Sequence, residues 1–408
     1  MNNHDELEEL LGRELHGQVD GMNTAPLGLG DVQGRASSIR RNRRIAVGVG
    51  VAAALAVIVP TAVTATDLMR TDSAPPPATS PTPKPGPQPQ ADGSFPLTIE
   101  GLPDGEPAQI GYTLIDEQQL VMPAETFDLP DAYTQIAPYG TDGWLALRSG
   151  NYPPTGSQIV ELTEDFDVVS SVSAGPAFVL NSDASRFAWV EVEGGQSVLV
   201  TAPSDGGEPT RTPIGDDIAQ PVGFLPGNRV AFSSTDQANG EQSFGLVAPD
   251  GEVTEIGGFL RLYDASEANG LVAGQTQYRR DGTSCAGALA NSGMAWETCD
   301  HTLGQFSPDG RYVVGLANQF DGPGSPTVSV LDAATGDALV DFRPAKGVFV
   351  GVDQVEWEDN DTLLATVTQG SDQALVRLEM NGRVELVDGP FPLSGLEINV
   401  RFAEHPVA

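Results

Sequence analysis

The two cysteines are the first residues of this 408-residue chain that could do chemistry. Cys285 and Cys299 lie 14 positions apart, and the strongest turn signal between them is Asn291-Ser292-Gly293. Antiparallel strands that fold back at this turn place the two cysteines opposite each other, about 4.5 Å apart at Cα, a separation that a disulfide can bridge. The spacing therefore predicts a Cys285–Cys299 disulfide, because the topology argued below places both residues in an oxidising compartment.

Candidate catalytic groups are sparse. A Ser-His-Asp triad outside the membrane would have to use His301 or His405, the two histidines that follow the apolar segment described below. Gly282–Gly287 contains Ser284, but it lacks the G-x-S-x-G spacing and the strand-turn-helix context of a nucleophile elbow. The sequence therefore predicts a protein that is not an enzyme, and an envelope hydrolase is the least favoured alternative.

Two acidic clusters could offer oxygen ligands to a cation. They are 359–361 (Asp-Asn-Asp) and 164–167 (Glu-Asp-Phe-Asp), and neither has the D-x-[DN]-x-[DN]-G pattern of a calcium loop. Aspartate and asparagine in turns normally cap their own backbone. No Cys/His spacing indicates zinc, so the sequence predicts neither a metal site nor a cofactor.

The elements that would position these residues are short strands recurring at a regular interval. Strands that follow an Asp/Asn-Gly type of turn have anchors separated by 43, 43, 41, 41 and 51 residues: Trp144, Phe187, Val230, Leu271, Tyr312 and Leu363. A second series of hairpin turns has the same phase, with glycines at Gly251, Gly293, Gly336 and Gly382. Tight hairpin turns need glycine because they require positive φ. A period of 40–45 residues with four strands per unit is typical of β-propeller blades.

Three phrases in these units resemble those of known propellers. Phe306–Val314 (FSPDGRYVV) is similar to the blade phrase of Tol-system periplasmic proteins and of prolyl-oligopeptidase-type enzymes. Val330–Gly336 (VLDAATG) resembles the third strand and turn of a WD-repeat blade, and Asn181–Phe187 is a degenerate copy of the first phrase. The resemblance implies a propeller fold but no activity, since such phrases occur in functionally unrelated proteins.

The fold class predicted for residues 96–408 is an all-β, seven-bladed propeller, with six blades as the alternative. Six blades follow from the six anchors. A seventh would combine three strand-like segments at the start (109–115, 120–123 and 126–129) with one at the end (396–402). Sharing that blade would hold the two ends of the domain together and remove two open sheet edges. The Cys285–Cys299 hairpin would belong to the fourth blade.

A membrane span precedes this domain. Ile45–Thr66 is an uncharged, mostly aliphatic run of 22 residues behind a cluster of four arginines at 40, 41, 43 and 44. As a helix it would be about 33 Å long, enough to cross a bilayer core of about 30 Å. The positive-inside rule keeps residues 1–44 in the cytoplasm and places the C-terminal domain outside the cell. Val63-Thr64-Ala65 would also suit signal peptidase, but the long N-terminal region and the long apolar run favour an uncleaved signal anchor.

The segments on either side of the span have different compositions. Residues 67–95 contain eight prolines between Pro75 and Pro89, which favour an extended polyproline stalk. In the cytoplasmic tail, leucines at 7, 10, 11 and 15 recur at helical spacing and predict a short amphipathic helix. The N-terminal region combines a leucine-rich helix, an arginine cluster, an apolar span and a proline stalk. In composition this combination resembles single-pass envelope proteins of high-GC actinobacteria.

Charge restricts the partners. The formal net charge is −35, and only 13 of the 21 basic residues follow position 84. Such an acidic outer domain repels nucleic acid, so no nucleic-acid partner is predicted. The acidic surface either serves solubility or meets a cationic partner.

Three functions are compatible with these features. The favoured one is a non-catalytic binding or scaffold module at the cell envelope, which grips a protein, peptide or glycan on the propeller face. The alternative is a transmembrane signalling protein whose residues 1–44 bind a cytoplasmic regulator such as a sigma factor. The third, an envelope hydrolase, has the least support.

Overall fold

The computed structural model describes residues 88–403, apart from 149–155, 216–217, 237–239, 281, 292, 319–323 and 394–398. These residues belong to one compact unit, Thr82–Ala408, and their regular elements are all strands. Within this described part no helix is long and apolar enough to cross a membrane. The predicted tail helix, the predicted span Ile45–Thr66 and most of the proline stalk lie outside the described residues.

Five separate sheets have four or five strands each. The strands of each sheet are given in the order in which they pair. The first sheet contains β28 (Val400–Phe402), β2 (Tyr112–Leu114), β3 (Gln119–Val121) and β4 (Thr126–Asp128). The second contains β12 (Ile218–Leu225), β13 (Arg229–Thr235), β14 (Gln242–Val247) and β15 (Val253–Glu255). The third contains β16 (Arg261–Ala265), β17 (Val272–Tyr278), β18 (Ser284–Ala290) and β19 (Gly293–Thr298). The fourth contains β20 (His301–Phe306), β21 (Tyr312–Ala317), β22 (Val328–Asp332), β23 (Ala338–Arg343) and β1 (Phe95–Pro96). The fifth contains β24 (Gly351–Trp357), β25 (Thr362–Gln369), β26 (Asp372–Glu379) and β27 (Val384–Pro392).

The sixth sheet is continuous over seven strands: β5 (Gln135–Tyr139), β6 (Gly143–Arg148), β7 (Gln158–Leu162), β8 (Val168–Leu180), β9 (Arg186–Glu193), β10 (Gln196–Pro203) and β11 (Thr210–Gly215). The prediction of seven separate blades, or of six, is therefore wrong: five separate blades stand beside one long sheet. The physical reason is β8, which is 13 residues long. Its first half pairs with β7 and its second half with β9, so the repeat units anchored at Trp144 and Phe187 join in one sheet.

The predicted closure of the ring is confirmed. β28, near the C-terminus, pairs antiparallel with β2, and Tyr112 lies opposite Phe402. β3 and β4 then complete the sheet, as the three strand-like segments between residues 109 and 129 predicted. The two ends of the domain are thus joined by backbone hydrogen bonds.

The repeat phase is confirmed as well. The six anchors lie in, or directly before, the second strand of successive units (β6, β9, β13, β17, β21 and β25). The turn glycines have positive φ, for example 86° at Gly251 and 89° at Gly382. Side chains from each sheet pack against the next sheet to form the core, and Trp357 and Phe342 are among its largest fully buried members.

An N-terminal segment runs along the outside of two blades. β1 adds to the fourth sheet as a parallel strand against β23, and Leu97 beyond it is completely buried. Further on, Gly105 N–H donates to the carbonyl of Leu386 at 2.7 Å. The segment therefore connects the blade of β20–β23 with that of β24–β27 before the chain enters the closing blade.

Candidate functional site at the channel mouth

A central channel is surrounded by the first strands of successive units. β8 contacts β12, β12 contacts β16, β16 contacts β20, β20 contacts β24, and β24 contacts β28. Where the first five of these strands end, they line a cavity of about 220 Å³, here called the outer cavity. A second cavity of about 300 Å³, the inner cavity, is lined by β5, β20, β24 and β28. Gln305 and Glu356 line both, so the two cavities are adjacent parts of one channel.

Bulges in the first strands direct side chains to the channel. β12, β16, β20 and β24 each shift register against the following strand. Each shift leaves at least one residue without a directly opposite partner on the following strand. Val222, Tyr263, Gln305 and Asp353 are such residues, and each of them lines one or both cavities. A bulge inserts an extra residue and re-aims the side chains beside it, which is why bulges occur next to functional sites.

Hydrogen bonds between neighbouring blades hold the mouth together. The backbone N–H of Phe306 donates to Asp264 Oδ2 at 2.7 Å. Gln305 Nε2 donates to Glu356 Oε2 at 2.9 Å, so a carboxylate of one blade receives an amide of the next. Across the mouth, the backbone N–H and the Oγ of Ser182 donate to Glu267 Oε2 at 3.0 and 2.8 Å. The polar side chains at the mouth are therefore fixed in position.

The two cavities differ in charge. The outer cavity is lined by three carboxylates, Asp264, Glu267 and Glu356. In the inner cavity Asp353 accepts hydrogen bonds from Thr368 Oγ1 at 2.9 Å and from Gln373 Nε2 at 3.2 Å. Arg401 on β28 stands close enough to Asp353 for the two charges to attract, although burial lowers the pKa of Arg401 overall.

None of the mouth residues was predicted as a site residue, but the sequence contained a signal. Asp264, Gln305 and Glu356 each lie seven residues before the anchor of their repeat unit, at Leu271, Tyr312 and Leu363. The equivalent position of the unit anchored at Val230 is Gly223. Aligning the units would have shown a polar residue recurring at this position in three of the six units.

The predicted disulfide is confirmed. Cys285 and Cys299 are bonded, with their Cα atoms 4.0 Å apart. Ala286 lies opposite Thr298 in the β18–β19 hairpin, so the bond continues the ladder at the open end of that hairpin. Cys285 is completely buried, and Asn318 Nδ2 donates to the Cys299 carbonyl. The bond therefore fixes a hairpin of the scaffold and lies outside both channel cavities.

Two of the candidate catalytic residues, His301 and Ser284, lie outside the linings of both cavities. His301 begins β20, and its buried Nδ1 has no hydrogen-bond partner. Burial lowers the pKa of His301, while the charges of Asp341 and Asp300 oppose that shift. Ser284 is buried on β18, where its carbonyl accepts a hydrogen bond from Asn318 Nδ2 at 3.4 Å. His405 lies outside the described residues.

The two acidic clusters take part in different hydrogen bonds: side chains of Asp359 and Asn360 accept backbone N–H groups, whereas at 164–167 the acceptor is the neighbouring Thr163. The N–H of Asp361 donates to Asp359 Oδ1 at 2.7 Å, and the N–H of Asp309 donates to Asn360 Oδ1 at 3.1 Å. In the other cluster the N–H of Asp167 donates to Thr163 Oγ1 at 3.1 Å. Across the described residues, no group of three or more His, Cys, Asp or Glu side chains is arranged to hold a metal ion.

Repeated antiparallel sheets around a channel, closed by a strand from the other end of the domain, define this chain as a β-propeller protein. No protein-family model matches the sequence, and no curated protein matches it. Solved structures are similar to it in fold, and three of them illustrate the range.

TolB from Acinetobacter baumannii is 15% identical, with a TM-score of 0.42 over 64% of this chain and 65% of that chain. The match thus spans slightly less than two thirds of that TolB. The β-propeller domain of the Trilobed protease from Pyrococcus furiosus is 9% identical, with a TM-score of 0.45 over 63% of this chain and 84% of that chain. The Listeria monocytogenes protein lmo1340 is 8% identical, with a TM-score of 0.46 over 64% of this chain and 84% of that chain. Likenesses at this level concern architecture only.

Proposed function

We propose that this chain is a non-catalytic binding or scaffold module of the cell envelope, and that it recognises a protein, peptide or glycan at the channel mouth. The observation that carries the proposal is the outer cavity, where bulged first strands from consecutive units bring Asp264, Gln305 and Glu356 together. A concave site with a few convergent polar groups is the usual form of a ligand site.

The chemistry of the lining favours recognition over turnover. The described residues that line the two cavities include no His, Cys or Lys, so the titratable groups there are mainly carboxylates. The carboxylates of Asp264 and Glu356 receive hydrogen bonds from the neighbouring blade, which suits a rigid binding surface. Envelope display rests on the apolar run Ile45–Thr66 and the arginines before it, which favour a single span with the propeller outside the cell.

The test places an obstacle in the mouth. Ser182 is an exposed residue of the outer-cavity lining, so Ser182→Trp puts an indole where a ligand would enter. The matched control is Ser170→Trp, because Ser170 is exposed on β8 and lies outside both linings. The full chain, purified in detergent and immobilised, is incubated with solubilised cell-envelope material, and the bound species are quantified.

We expect the wild type and Ser170→Trp to retain the same material and Ser182→Trp to lose it. Equal retention by all three proteins would show that recognition does not use the mouth. Conversion of the retained material into a product, abolished by one substitution in the propeller, would show that the protein is an enzyme.

A further inference from the structure

The first half of β8 has an open side. Val168–Ser173 pairs with β7, whereas β9 begins to pair with β8 only at Ala174. In the described part of the chain no strand pairs with Val168–Ser173 on the side away from β7. All six residues are exposed, and Val168 and Val169 are more than half exposed. This side of the segment is here called the free edge.

The register shows which backbone groups point to the free edge. Ala174 N–H donates to the Ser157 carbonyl at 3.0 Å, and the β7–β8 pairing continues in step from there to Ser170. Alternate residues of an antiparallel ladder direct both backbone groups to the same neighbour. Ala174, Val172 and Ser170 therefore face β7. The N–H and the carbonyl of Ser171 point to the free edge, where they offer a donor and an acceptor to an added strand.

The outer strands of the other units have features that usually prevent strand addition. β4 and β15 have only three residues each. β11 contains Arg211 and Pro213, and β19 contains Glu297 and a register shift. β23 is covered by β1, and β27 contains two prolines and bonds to Gly105. The sequence of the free edge, Val-Val-Ser-Ser-Val-Ser, has no charge, proline or glycine, so these protections are missing there.

Outer strands of this propeller already accept added segments. β1 pairs with β23, and two backbone hydrogen bonds join the following stretch to β27. In these bonds Gly105 N–H donates to the Leu386 carbonyl at 2.7 Å, and Leu386 N–H donates to the Pro103 carbonyl at 3.0 Å. An extended segment is therefore the kind of occupant that suits the free edge.

Charge indicates the chemistry of that segment. The turn that leads into the free edge carries three exposed carboxylates, Glu164, Asp165 and Asp167. At the other end Glu193 is exposed, close to the point where β9 begins to pair with β8. An uncharged, β-branched centre would match the exposed valines of the free edge, and lysine or arginine beside that centre would meet acidic groups at either end.

Two segments of this chain itself fit less well. A second copy would bring its own acidic turn beside this turn in a parallel arrangement and beside Glu193 in an antiparallel one, so like charges would meet in both. The stalk contains eight prolines between Pro75 and Pro89, and proline has no N–H to donate to the Ser171 carbonyl. The charges and the backbone groups therefore favour a strand from another protein.

We propose that the free edge of β8 binds an extended segment of a partner protein, which adds as a strand and carries lysine or arginine on either side of an uncharged, β-branched centre. The interaction goes beyond the recognition proposed at the channel mouth, because no residue of Val168–Ser173 lines either cavity. Ser170 faces β7 with its backbone and donates its hydroxyl to Glu161 at 3.1 Å, so Ser170→Trp keeps the backbone groups of Ser171 available.

The experiment uses the full chain in detergent and the heptapeptide Lys-Val-Thr-Val-Thr-Val-Lys, which has a fluorophore at its N-terminus and an amidated C-terminus. One control peptide has glutamate at both ends, and another has proline in place of the central valine. Fluorescence anisotropy measures the affinity. Amide hydrogen exchange of the fragments that contain residues 168–173 locates the binding site.

The protein variants separate the backbone from the side chains. Ser171→Pro removes the N–H that points to the free edge and leaves the pairing with β7 in place. Its matched control is Ser171→Ala, which keeps that N–H. Val169→Lys leaves the backbone unchanged and adds a positive charge to the free edge, which also guards against misfolding of the proline variant. An unfolding midpoint in urea equal to that of the wild type shows that a variant is folded.

We expect the lysine-flanked peptide to bind the wild type and Ser171→Ala with equal affinity. Ser171→Pro and Val169→Lys should bind it about tenfold more weakly or worse, the order of effect of one lost hydrogen bond or one like charge. The glutamate-flanked and proline-containing peptides should also bind the wild type at least tenfold more weakly. Bound peptide should slow amide exchange within residues 168–173, and added salt should weaken binding.

Equal affinity for the lysine-flanked and glutamate-flanked peptides would overturn the inference, as would unchanged affinity in folded Ser171→Pro and Val169→Lys. Protection confined to another part of the chain, or no binding of the lysine-flanked peptide, would overturn it as well. A concentration-dependent dimer in sedimentation equilibrium that Ser171→Pro abolishes would assign the free edge to a second copy and refute the partner strand. None of these outcomes bears on the channel mouth, which Ser182→Trp tests separately.

Discussion

Removal of Arg377 should strongly destabilise the domain. It is 6% exposed, and its Nε and Nη2 donate to the two oxygens of Glu358 at 2.6 and 2.8 Å. Its Nη1 and Nη2 also donate to the carbonyls of Glu106 and Pro107 at 2.9 and 3.0 Å. Glu358 in turn accepts the backbone N–H of Gln109 at 2.6 Å. One guanidinium thus joins the blade of β24–β27 to the segment that leads into the closing blade.

The substitution Arg377→Met keeps much of the apolar stem but leaves Glu358 and the 4%-exposed Glu385 without this cation. Breaking a buried ion pair by removing one partner costs about 3–5 kcal/mol, because an uncompensated charge stays buried. We expect the free energy of unfolding to fall by about that amount. In Arg377→Met/Glu358→Gln the unpaired buried charge of Glu358 is removed, and an acceptor for the N–H of Gln109 remains. The double variant should therefore be more stable than Arg377→Met by about 1 kcal/mol or more.

The assay is urea unfolding of the full chain followed by tryptophan fluorescence, with the free energy taken from the midpoint and slope. The control is Arg148→Met, since Arg148 pairs with Asp131 at 2.8 Å with both side chains more than a third exposed. Such a surface pair contributes about 0–1 kcal/mol. The reasoning is refuted if Arg377→Met loses no more stability than Arg148→Met, or if the double variant is less stable than the single one.

Four further predictions can be checked on the same chain. Replacing Cys285 and Cys299 by alanine should lower the free energy of unfolding by about 3 kcal/mol, the value expected for a loop of this length, and unreduced peptide mass spectrometry should find the wild-type pair bonded. Gly382→Ala should destabilise the domain by about 1–3 kcal/mol more than Gly251→Ala in urea unfolding, because both have positive φ but only at Gly382 would a Cβ clash with the Phe95 ring. Burial lowers the pKa of His301, so the unfolded chain binds a proton more readily than the folded one. The contribution of neutral His301 to the free energy of unfolding should therefore be complete above about pH 6.5 and decrease as the pH falls toward the folded pKa. In urea titrations at several pH values, this decrease should be smaller for His301→Gln. Protease added to intact cells should leave residues 1–44 uncut if the arginine cluster holds them in the cytoplasm, and a soluble form beginning near Thr66 would contradict the uncleaved anchor.

Local chemistry made much of the propeller predictable. Glycines such as Gly251 and Gly382 are needed where a hairpin requires positive φ, so the repeat period is visible along the chain. The closing blade followed from the same reasoning, since three strands at one end and one at the other make a complete sheet. The Cys285–Cys299 bond was predictable because a hairpin pairs residues at equal distances from its turn.

The number of separate sheets and the position of the site depended on tertiary structure. β8 is 13 residues long, enough for two ordinary strands. Whether such a segment forms one strand or two depends on its partners, which are β7 for its first half and β9 for its second half. Asp264, Gln305 and Glu356 are 41 and 51 residues apart in sequence, and they meet only because each bulged first strand points toward the same channel.

The sequence by itself thus determined the repeat, its turns and the hairpin disulfide, because these depend on backbone conformation and on residues close along the chain. Only the tertiary structure decided which polar side chains share a cavity, because that depends on how the first strands assemble around the channel axis. The hydrogen bonds of Arg377 to Glu106 and Pro107, some 270 residues away, show the same limit. Such a contact is made by the closing of the ring, and no local pattern records it.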